Sequence, residues 1–332
     1  MMIKTLAHAR AALIGNPSDG YNGKTISFTF GNFFAEVDLY ETPDLEILPN
    51  PSDHSQFSSI ESLAYDVNQL GYYGGIRLIK ATIKRFYDYC VENDIYLHKS
   101  NFTVRYKSNI PHLVGLAGSS AIVTSCMKAL LEFYDVSIPK PVMAEVILEV
   151  ETQELGISAG LQDRVAQVYQ GLVYMDFNKK LMDKQGYGHY KNINANLLPN
   201  LYIAYQKDLS EVSGIVHSDL RSRYNRGNED VHSAIEFWKD LTDKVHDMIV
   251  DGNGNQIGEL LNANFDMRAK VCQISDGNMN MIKAARAAGA SAKFTGSGGA
   301  IIGTYENEDM FDKIVLNTRK FSVEVIKPEI IV

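Results

Sequence analysis

A glycine- and serine-rich segment between a predicted strand and a predicted helix could bind a phosphate group. It runs Pro111-His-Leu-Val-Gly-Leu-Ala-Gly-Ser-Ser-Ala121. The first turn of a helix has unpaired N–H groups and a partial positive charge, which stabilise an anion. Gly115 and Gly118 let the backbone approach a phosphate without a Cβ in the way, and the hydroxyls of Ser119 and Ser120 could bind phosphate oxygen or Mg²⁺. A serine-capped helix after a glycine turn is the alternative.

Two other glycine-rich turns flank this segment along the chain. Residues 15–23 (Gly-Asn-Pro-Ser-Asp-Gly-Tyr-Asn-Gly) follow the first predicted strand and have the composition of a polar loop. Residues 293–299 (Lys-Phe-Thr-Gly-Ser-Gly-Gly) precede an apolar strand. The turn at residues 293–299 could be a tight hairpin, or it could lie against a nucleotide or a sugar.

The elements that must position these turns are predicted from hydrophobic periodicity. Ile26–Phe30 alternates as a half-buried strand, and Gly31–Asn32 shifts the phase, which predicts a hairpin or a bulge. Residues 74–92 are predicted to form a helix because their apolar residues fall on one face. Further helices are expected from Ser119 to Tyr134, from about Pro139, from Asp163 to Gly171 and over Val231–Met248, and strands are expected at Phe102–Tyr106, Leu172–Phe177, Leu201–Tyr205 and Val323–Ile326.

These elements predict an α+β fold with sandwich layers in both halves. Residues 178–200 are rich in Lys, Asn and Gly, and we expect the domain boundary there, dividing the chain into 1–190 and 191–332.

Composition narrows the function classes. Acidic residues number 40 against 32 basic ones, which argues against a nucleic-acid partner. No stretch approaches the roughly 18 apolar residues of a membrane-spanning helix, and the N-terminal sequence does not look like a secretion signal. The scattered Cys90, Cys126 and Cys272 have no metal-binding spacing and suggest a reducing cytoplasm.

Taken together and in order, the three turns resemble the motifs of the GHMP kinase superfamily. The first motif is matched by Ala9–Gly15 and the polar turn after it, the second by Pro111–Ala121 with Ala117 before Gly118, and the third by Lys293–Gly299. The resemblance implies a two-lobe α+β fold, with an N-terminal lobe like domain 2 of ribosomal protein S5 and a ferredoxin-like C-terminal α/β sandwich. It also implies that ATP and Mg²⁺ are used to phosphorylate a small molecule.

Within the superfamily, the chain is most similar to the glucuronokinases, which are sugar-acid 1-kinases. The segments that carry this similarity are residues 15–19, 25–28, 71–75, 154–169 and 293–299. Galactokinases have Glu-His where Asn16 and Pro17 stand, which argues against galactose. The resemblance implies transfer of the γ-phosphate of ATP to the C1 hydroxyl of D-glucuronate. A heptose, galacturonate, galactose or mevalonate-type acceptor, or a non-catalytic ATP and sugar sensor, remain alternatives. The oligomeric state, monomer or homodimer, is left open.

The resemblance also implies roles for individual residues. Asp163 corresponds to the catalytic base, with Arg10 beside it; their alternatives are a helix cap and a strand-edge surface charge. Glu151 and Ser120 are the expected Mg²⁺ ligands, and Glu154 is an alternative to Glu151. The nucleotide phosphates are expected to contact Pro111, Gly115, Leu116, Ala117, Gly118, Ser119, Ser120 and Ala121.

The sugar acid is expected to contact eight residues: Asp19, Tyr21, Lys24, Tyr73, Arg164, Gly296, Ser297 and Gly298. A substrate carboxylate calls for Arg or Lys. The candidates are Lys24, Arg77, Arg164 and Arg268, of which Arg164 is preferred. Arg221, Arg223 and Arg226 are predicted to form a basic loop that is either solvated or lies over the nucleotide phosphates.

Overall fold

A computed structural model describes residues 2–50, 53, 59, 74–206 and 213–332, with the side chains of 213–218 left out. The strands are β1 (Met2–Ile14), β2 (Lys24–Thr42), β3 (Glu46–Leu48), β4 (Asn101–Ser108), β5 (Leu172–Asp176), β6 (His189–Ile193), β7 (Leu201–Tyr205), β8 (Lys293–Phe294), β9 (Ala300–Thr304) and β10 (Glu324–Ile326). The α-helices are α1 (Gly75–Glu92), α2 (Gly118–Phe133), α3 (Lys140–Glu149), α4 (Leu161–Tyr169), α5 (Lys179–Gln185), α6 (Ser213–Asn225), α7 (Glu229–Val250), α8 (Gly258–Val271), α9 (Asp276–Ala287) and α10 (Glu308–Arg319).

The first sheet is formed by β1 to β6, with the strand order β3-β4-β2-β5-β6 and β1 paired to β2. In the antiparallel β1–β2 pair, His8 lies opposite Phe34 while Ala9 lies opposite Phe30. Residues 31–33 are therefore the extra residues of a bulge, which confirms the phase shift predicted at Gly31–Asn32. Helices α1 to α4 cover one face of this sheet and share an apolar core with it.

The second sheet has the order β10-β7-β9-β8 and is antiparallel throughout. Its strands alternate between two cores. Tyr202 and Ile301 pack with α9 and α10, whereas Ile203 and Ile302 face the core that contains Phe28 and Trp238. Since this last core includes residues of β1, β2, α7 and the second sheet, the two sheets are joined through a common apolar layer.

Each glycine-rich turn lies at the end of a strand. The turn at 15–23 follows β1, the segment 111–118 connects β4 to α2, and residues 295–299 connect the antiparallel strands β8 and β9. The last of these confirms the tight hairpin. The topology therefore determines where the three turns lie relative to one another.

The predicted elements are largely confirmed, and two expectations need correction. Helix α4 begins at Leu161, so Asp163 lies inside its first turn and does not cap it. Arg221 and Arg223 belong to α6, so the expected basic loop is mainly helical. Residues 178–200 contain α5 and β6, and the expected boundary at 190 falls inside β6. We propose that the boundary lies after β6, before Leu201. Among the described residues, no helix has the length and apolar character needed to cross a membrane.

Candidate active site

The segment before α2 has the geometry of an anion-binding turn. Gly115 has φ +70° and Ala117 has φ +62°, so both adopt the left-handed conformation just before the helix begins at Gly118. The carbonyl of Ala117 is held by the side-chain amide of the buried Gln167, whose Nε2 lies 2.9 Å away. The first N–H groups of α2 are thereby presented at a fixed position, where an anion would be stabilised.

This turn packs directly against the β8–β9 turn. A Cβ built on Gly115 would lie 2.9 Å from the carbonyl oxygen of Gly298, and a Cβ on Gly296 would lie 2.6 Å from the carbonyl oxygen of Gly115. Real Cβ atoms essentially never approach backbone that closely. Glycine is therefore required at both positions by the contact between the two turns.

Arg10 connects the turns to Asp163. Its side chain is buried in β1, with the residue 4% exposed. One guanidinium nitrogen donates to the carbonyl oxygens of Thr295 and Gly115, and the other forms a short ion pair with Asp163. The reading of Arg10 as a surface charge at a strand edge is therefore wrong. The guanidinium group of Arg10 therefore contacts the turn before α2, the β8–β9 turn and Asp163 of α4 at the same time.

Two carboxylates, those of Asp163 and Asp19, lie near the guanidinium group of Arg10. Asp163 has an exposed side-chain fraction of 22% and lies 3.4 Å from Nη1 of Arg164 as well as against Arg10. Asp19, from the short turn Ser18–Tyr21, has its Oδ2 3.0 Å from the position of a Cβ on Gly160, the residue that precedes α4. Burial raises the pKa of Asp19 to about 6, and the negative charge of Asp163 adds to the rise while Arg10 opposes it. The two carboxylates therefore lie close enough to influence each other.

Glu151 is the acidic residue beside the phosphate-binding turn. It lies in a π-helical turn, Val150–Glu154, that continues α3, and it is 1% exposed. Its Oε1 accepts a hydrogen bond of 2.8 Å from Ser119 Oγ, and its carboxylate forms a close ion pair with Arg164. Glu154 instead pairs with Lys84 Nζ at 2.9 Å, so the structure separates the two glutamates that spacing left open.

The serine beside Glu151 is Ser119 and not Ser120. Ser120 is fully buried, and its hydroxyl donates to the carbonyl of Ala117 at 3.2 Å. Ser119, and not the expected Ser120, is therefore the hydroxyl that contacts Glu151. A carboxylate and a hydroxyl are the hard oxygen donors that Mg²⁺ prefers, and Mg²⁺ commonly takes few protein ligands because phosphate oxygens and waters complete its shell. The described part of the chain contains no group of three or more His, Cys, Asp or Glu able to hold a metal.

Comparison with known proteins identifies the family. The description "GHMP kinases N terminal domain" fits residues 77–171. The chain is 45% identical to Glucuronokinase 1 of Arabidopsis thaliana over 307 residues, which cover 90% of this chain and 84% of that protein. The chain belongs to the GHMP kinases. It is also 47% identical over 302 residues to Probable glucuronokinase 2 of the same plant, covering 89% of this chain and 82% of that protein.

The fold of this GHMP kinase agrees with solved structures of the family. The phosphomevalonate kinase of Streptococcus pneumoniae superimposes with a TM-score of 0.75 at 14% identity, covering all of both chains. This similarity confirms the expected two-lobe α+β fold. The resemblance to the GHMP kinases and, within them, to the glucuronokinases is also confirmed.

The other residues of this GHMP kinase that were expected to contact the substrate have different surroundings in the structure. Tyr21 is buried against Tyr224, with ring centroids 4.9 Å apart. Lys24 Nζ lies 2.6 Å from Asp243 Oδ2. Arg164 is 3% exposed and is paired with Glu151, which does not fit its expected role in binding a substrate carboxylate. Tyr73 lies outside the described residues.

Two buried cations lie beneath the β8–β9 turn, and sequence reasoning did not place either of them there. Arg268, expected only as a candidate for a substrate carboxylate, is 2% exposed and donates to the carbonyl oxygens of Gly296 and Ser297 at 2.8 and 2.7 Å. Its spacing from the buried Leu261 and Phe265 places it on the apolar face of α8, which is the signal that could have identified it. Lys293 Nζ donates to two backbone carbonyls, and burial, followed by the charges of Arg268 and Arg10, lowers its pKa well below the usual value. The β8–β9 turn therefore lies over the positive charge of Arg268.

Proposed function

We propose that this protein transfers the γ-phosphate of ATP to the C1 hydroxyl of D-glucuronate, giving glucuronate 1-phosphate and ADP. The observation that carries the proposal is the position of Arg10, which contacts Asp163 and the backbone of both glycine-rich turns. This arrangement supports a phosphate site and a proton acceptor in one cleft, as phosphoryl transfer to a hydroxyl requires. Two relatives named as glucuronokinases, at 45% and 47% identity, support the choice of sugar acid.

Asp163 would act as the general base. Its carboxylate takes the proton of the anomeric hydroxyl as the oxygen attacks the γ-phosphorus, and the bond between the γ-phosphorus and the bridging oxygen of ADP breaks. The two guanidinium groups of Arg10 and Arg164 neighbour this carboxylate. They orient the aspartate and supply positive charge near the transferred phosphoryl group.

The turn from Pro111 to Ala121 would hold the phosphates of ATP through the free N–H groups at the start of α2. Glu151 and Ser119 would hold Mg²⁺, which neutralises negative charge on the phosphates. The contact of both residues with this turn supports that assignment. Leu116 and Val114 are buried beneath the turn and keep its backbone in place.

The sugar would lie between the Ser18–Tyr21 turn and the β8–β9 turn. Asp19 is suited to accept a hydrogen bond from a sugar hydroxyl because its carboxylate faces the space occupied by Asp163 and Arg10. The β8–β9 turn would contact the sugar from the side opposite Asp19, through Gly296, Ser297 and Gly298. The backbone approach between Gly115 and Gly296 supports this, since it brings the third turn next to the phosphate-binding turn.

An ADP-release assay over a panel of sugars tests the proposal. Glucuronate should be turned over faster than galacturonate, galactose, a heptose or mevalonate at equal concentration. Turnover of galactose equal to that of glucuronate, or none with any sugar acid, would overturn the choice of substrate.

We also propose a reducing cytoplasmic location, because Cys90, Cys126 and Cys272 are all free thiols.

A further inference from the structure

The cations that could recognise a substrate carboxylate are mostly committed to other partners. Lys24 is paired with Asp243, and Arg164 is paired with Glu151. The guanidinium of Arg268 is bonded to the backbone of the third turn. A substrate carboxylate would have to displace a short ion pair or a loop contact to reach any of these groups.

Arg221 is different, and it lies against the Ser18–Tyr21 turn that carries Asp19. It is exposed on α6, and its guanidinium carbon lies 4.4 Å from the centre of the Tyr21 ring. Its Nη2 lies 3.3 Å from the position of a Cβ on Gly20. Within the parts of the chain that the structure describes, no Asp or Glu forms an ion pair with Arg221. Its charge is therefore available.

The Ser18–Tyr21 turn connects Arg221 to the reacting groups. Asp19 faces Asp163, and two residues later Tyr21 faces Arg221, so about 7 Å of chain at most separates their backbones. Both Arg221 and Asp19 lie near enough to influence the Tyr21 hydroxyl electrostatically, Arg221 lowering and Asp19 raising the pKa of a group whose burial raises it to about 12. Arg221 and the candidate base are thus both neighbours of one short turn.

We propose that Arg221 binds the carboxylate of the sugar acid and makes the enzyme selective for uronic acids; this rests on the proposed function. In a pyranuronic acid, C5 carries the carboxylate and is separated from C1 by the ring oxygen alone. The carboxylate and the hydroxyl that Asp163 activates are therefore carried by the two carbons bonded to the ring oxygen. A guanidinium binds a carboxylate through two parallel hydrogen bonds, and the ring of Tyr21 holds it in position beforehand.

Glucuronate and its neutral analogue glucuronamide separate this role from the rest of the site. The wild type should prefer glucuronate over glucuronamide in kcat/KM. Arg221→Gln should lower kcat/KM for glucuronate about ten- to a hundredfold, mainly through KM, because hydrogen bonds to a charged group are lost. The same variant should leave glucuronamide within about threefold of the wild-type value. Arg221→Lys keeps the charge and should retain part of the preference.

Arg226→Gln is the matched control, since it removes the same charge from an exposed position just beyond the end of α6. It should keep the wild-type preference. A preference for glucuronate that survives in Arg221→Gln, or an equal loss on both substrates, overturns the role of Arg221. A wild type that releases no ADP with glucuronate overturns the proposed function, so the two failures are distinguishable.

Discussion

Replacing Asp163 by asparagine preserves the shape of the side chain but removes its charge and its capacity to take a proton. General-base catalysis contributes about 10²- to 10⁴-fold to a rate. We therefore expect kcat for Asp163→Asn to fall at least about a hundredfold. The KM for ATP should change little, because the turn before α2 and its contacts with Gln167 and Glu151 do not involve Asp163.

Asp163→Asn should also lower the stability of the protein, and this loss determines the temperature at which activity is measured. The exposed side-chain fractions of Arg10 and Asp163 are 5% and 22%, so the ion pair is largely shielded from water. Hydrogen bonds to charged groups contribute about 1.5–3 kcal/mol. Asparagine keeps one acceptor oxygen, and Arg10 keeps its bonds to Thr295 and Gly115. We expect a loss of about 1–2 kcal/mol, and a melting temperature lower by about 1.5–3 °C for a chain of this size.

Initial rates of ADP release with glucuronate, measured well below both melting temperatures, provide the test. Asp266→Asn is the matched control, because it removes a carboxylate from the Asp266–Arg286 ion pair of 2.7 Å, in which Asp266 is 53% exposed. It should have the kcat of the wild type. If kcat of Asp163→Asn stays within about threefold of the wild type, the proton acceptor is another group and the reasoning fails.

Three other variants test neighbouring parts of the site. Glu151→Gln should raise the Mg²⁺ concentration needed for half-maximal activity at least about tenfold, while Glu154→Gln should not, because Glu154 is paired with Lys84. Equal responses in a Mg²⁺ titration would contradict the metal assignment. Ala117→Gly should raise the melting temperature by about 1–4 °C because φ is +62°, whereas Ala121→Gly inside α2 should lower it; calorimetry showing the reverse would exclude strain at Ala117. The raised pKa of Asp19 means that its ionisation removes stability from the folded state as the pH rises through about 6. Asp19→Asn should therefore melt higher, relative to the wild type, at about pH 7.5 than at about pH 5, and a difference independent of pH would refute this.

The local features of the site could be predicted from the sequence because short-range physics produces them. A glycine-rich turn followed by a helix places unpaired N–H groups at its first turn whatever the rest of the chain does, so the phosphate-binding segment 111–121 was identifiable from its residues. The bulge at residues 31–33 followed from a shift in alternation. The ordered set of three turns was sufficient to identify the family.

The partners of the charged side chains were decided by the tertiary structure. Arg10 and Asp163 are 153 positions apart; the family resemblance implied that they are neighbours, but no local pattern in the sequence states that the first strand and the fourth helix meet. The π-helical turn of 150–154 changes the helical phase on which spacing arguments depend, and packing then placed Glu151 on Ser119 and Arg164 and left Glu154 to Lys84. The pairing of Arg164 with Glu151, and the placement of Arg221 over Tyr21, likewise depend on contacts between distant elements. The sequence alone determined which chemical groups and turns are present, because these depend on neighbouring residues; only the folded chain decided which charges face one another, because that depends on how separate helices and sheets pack.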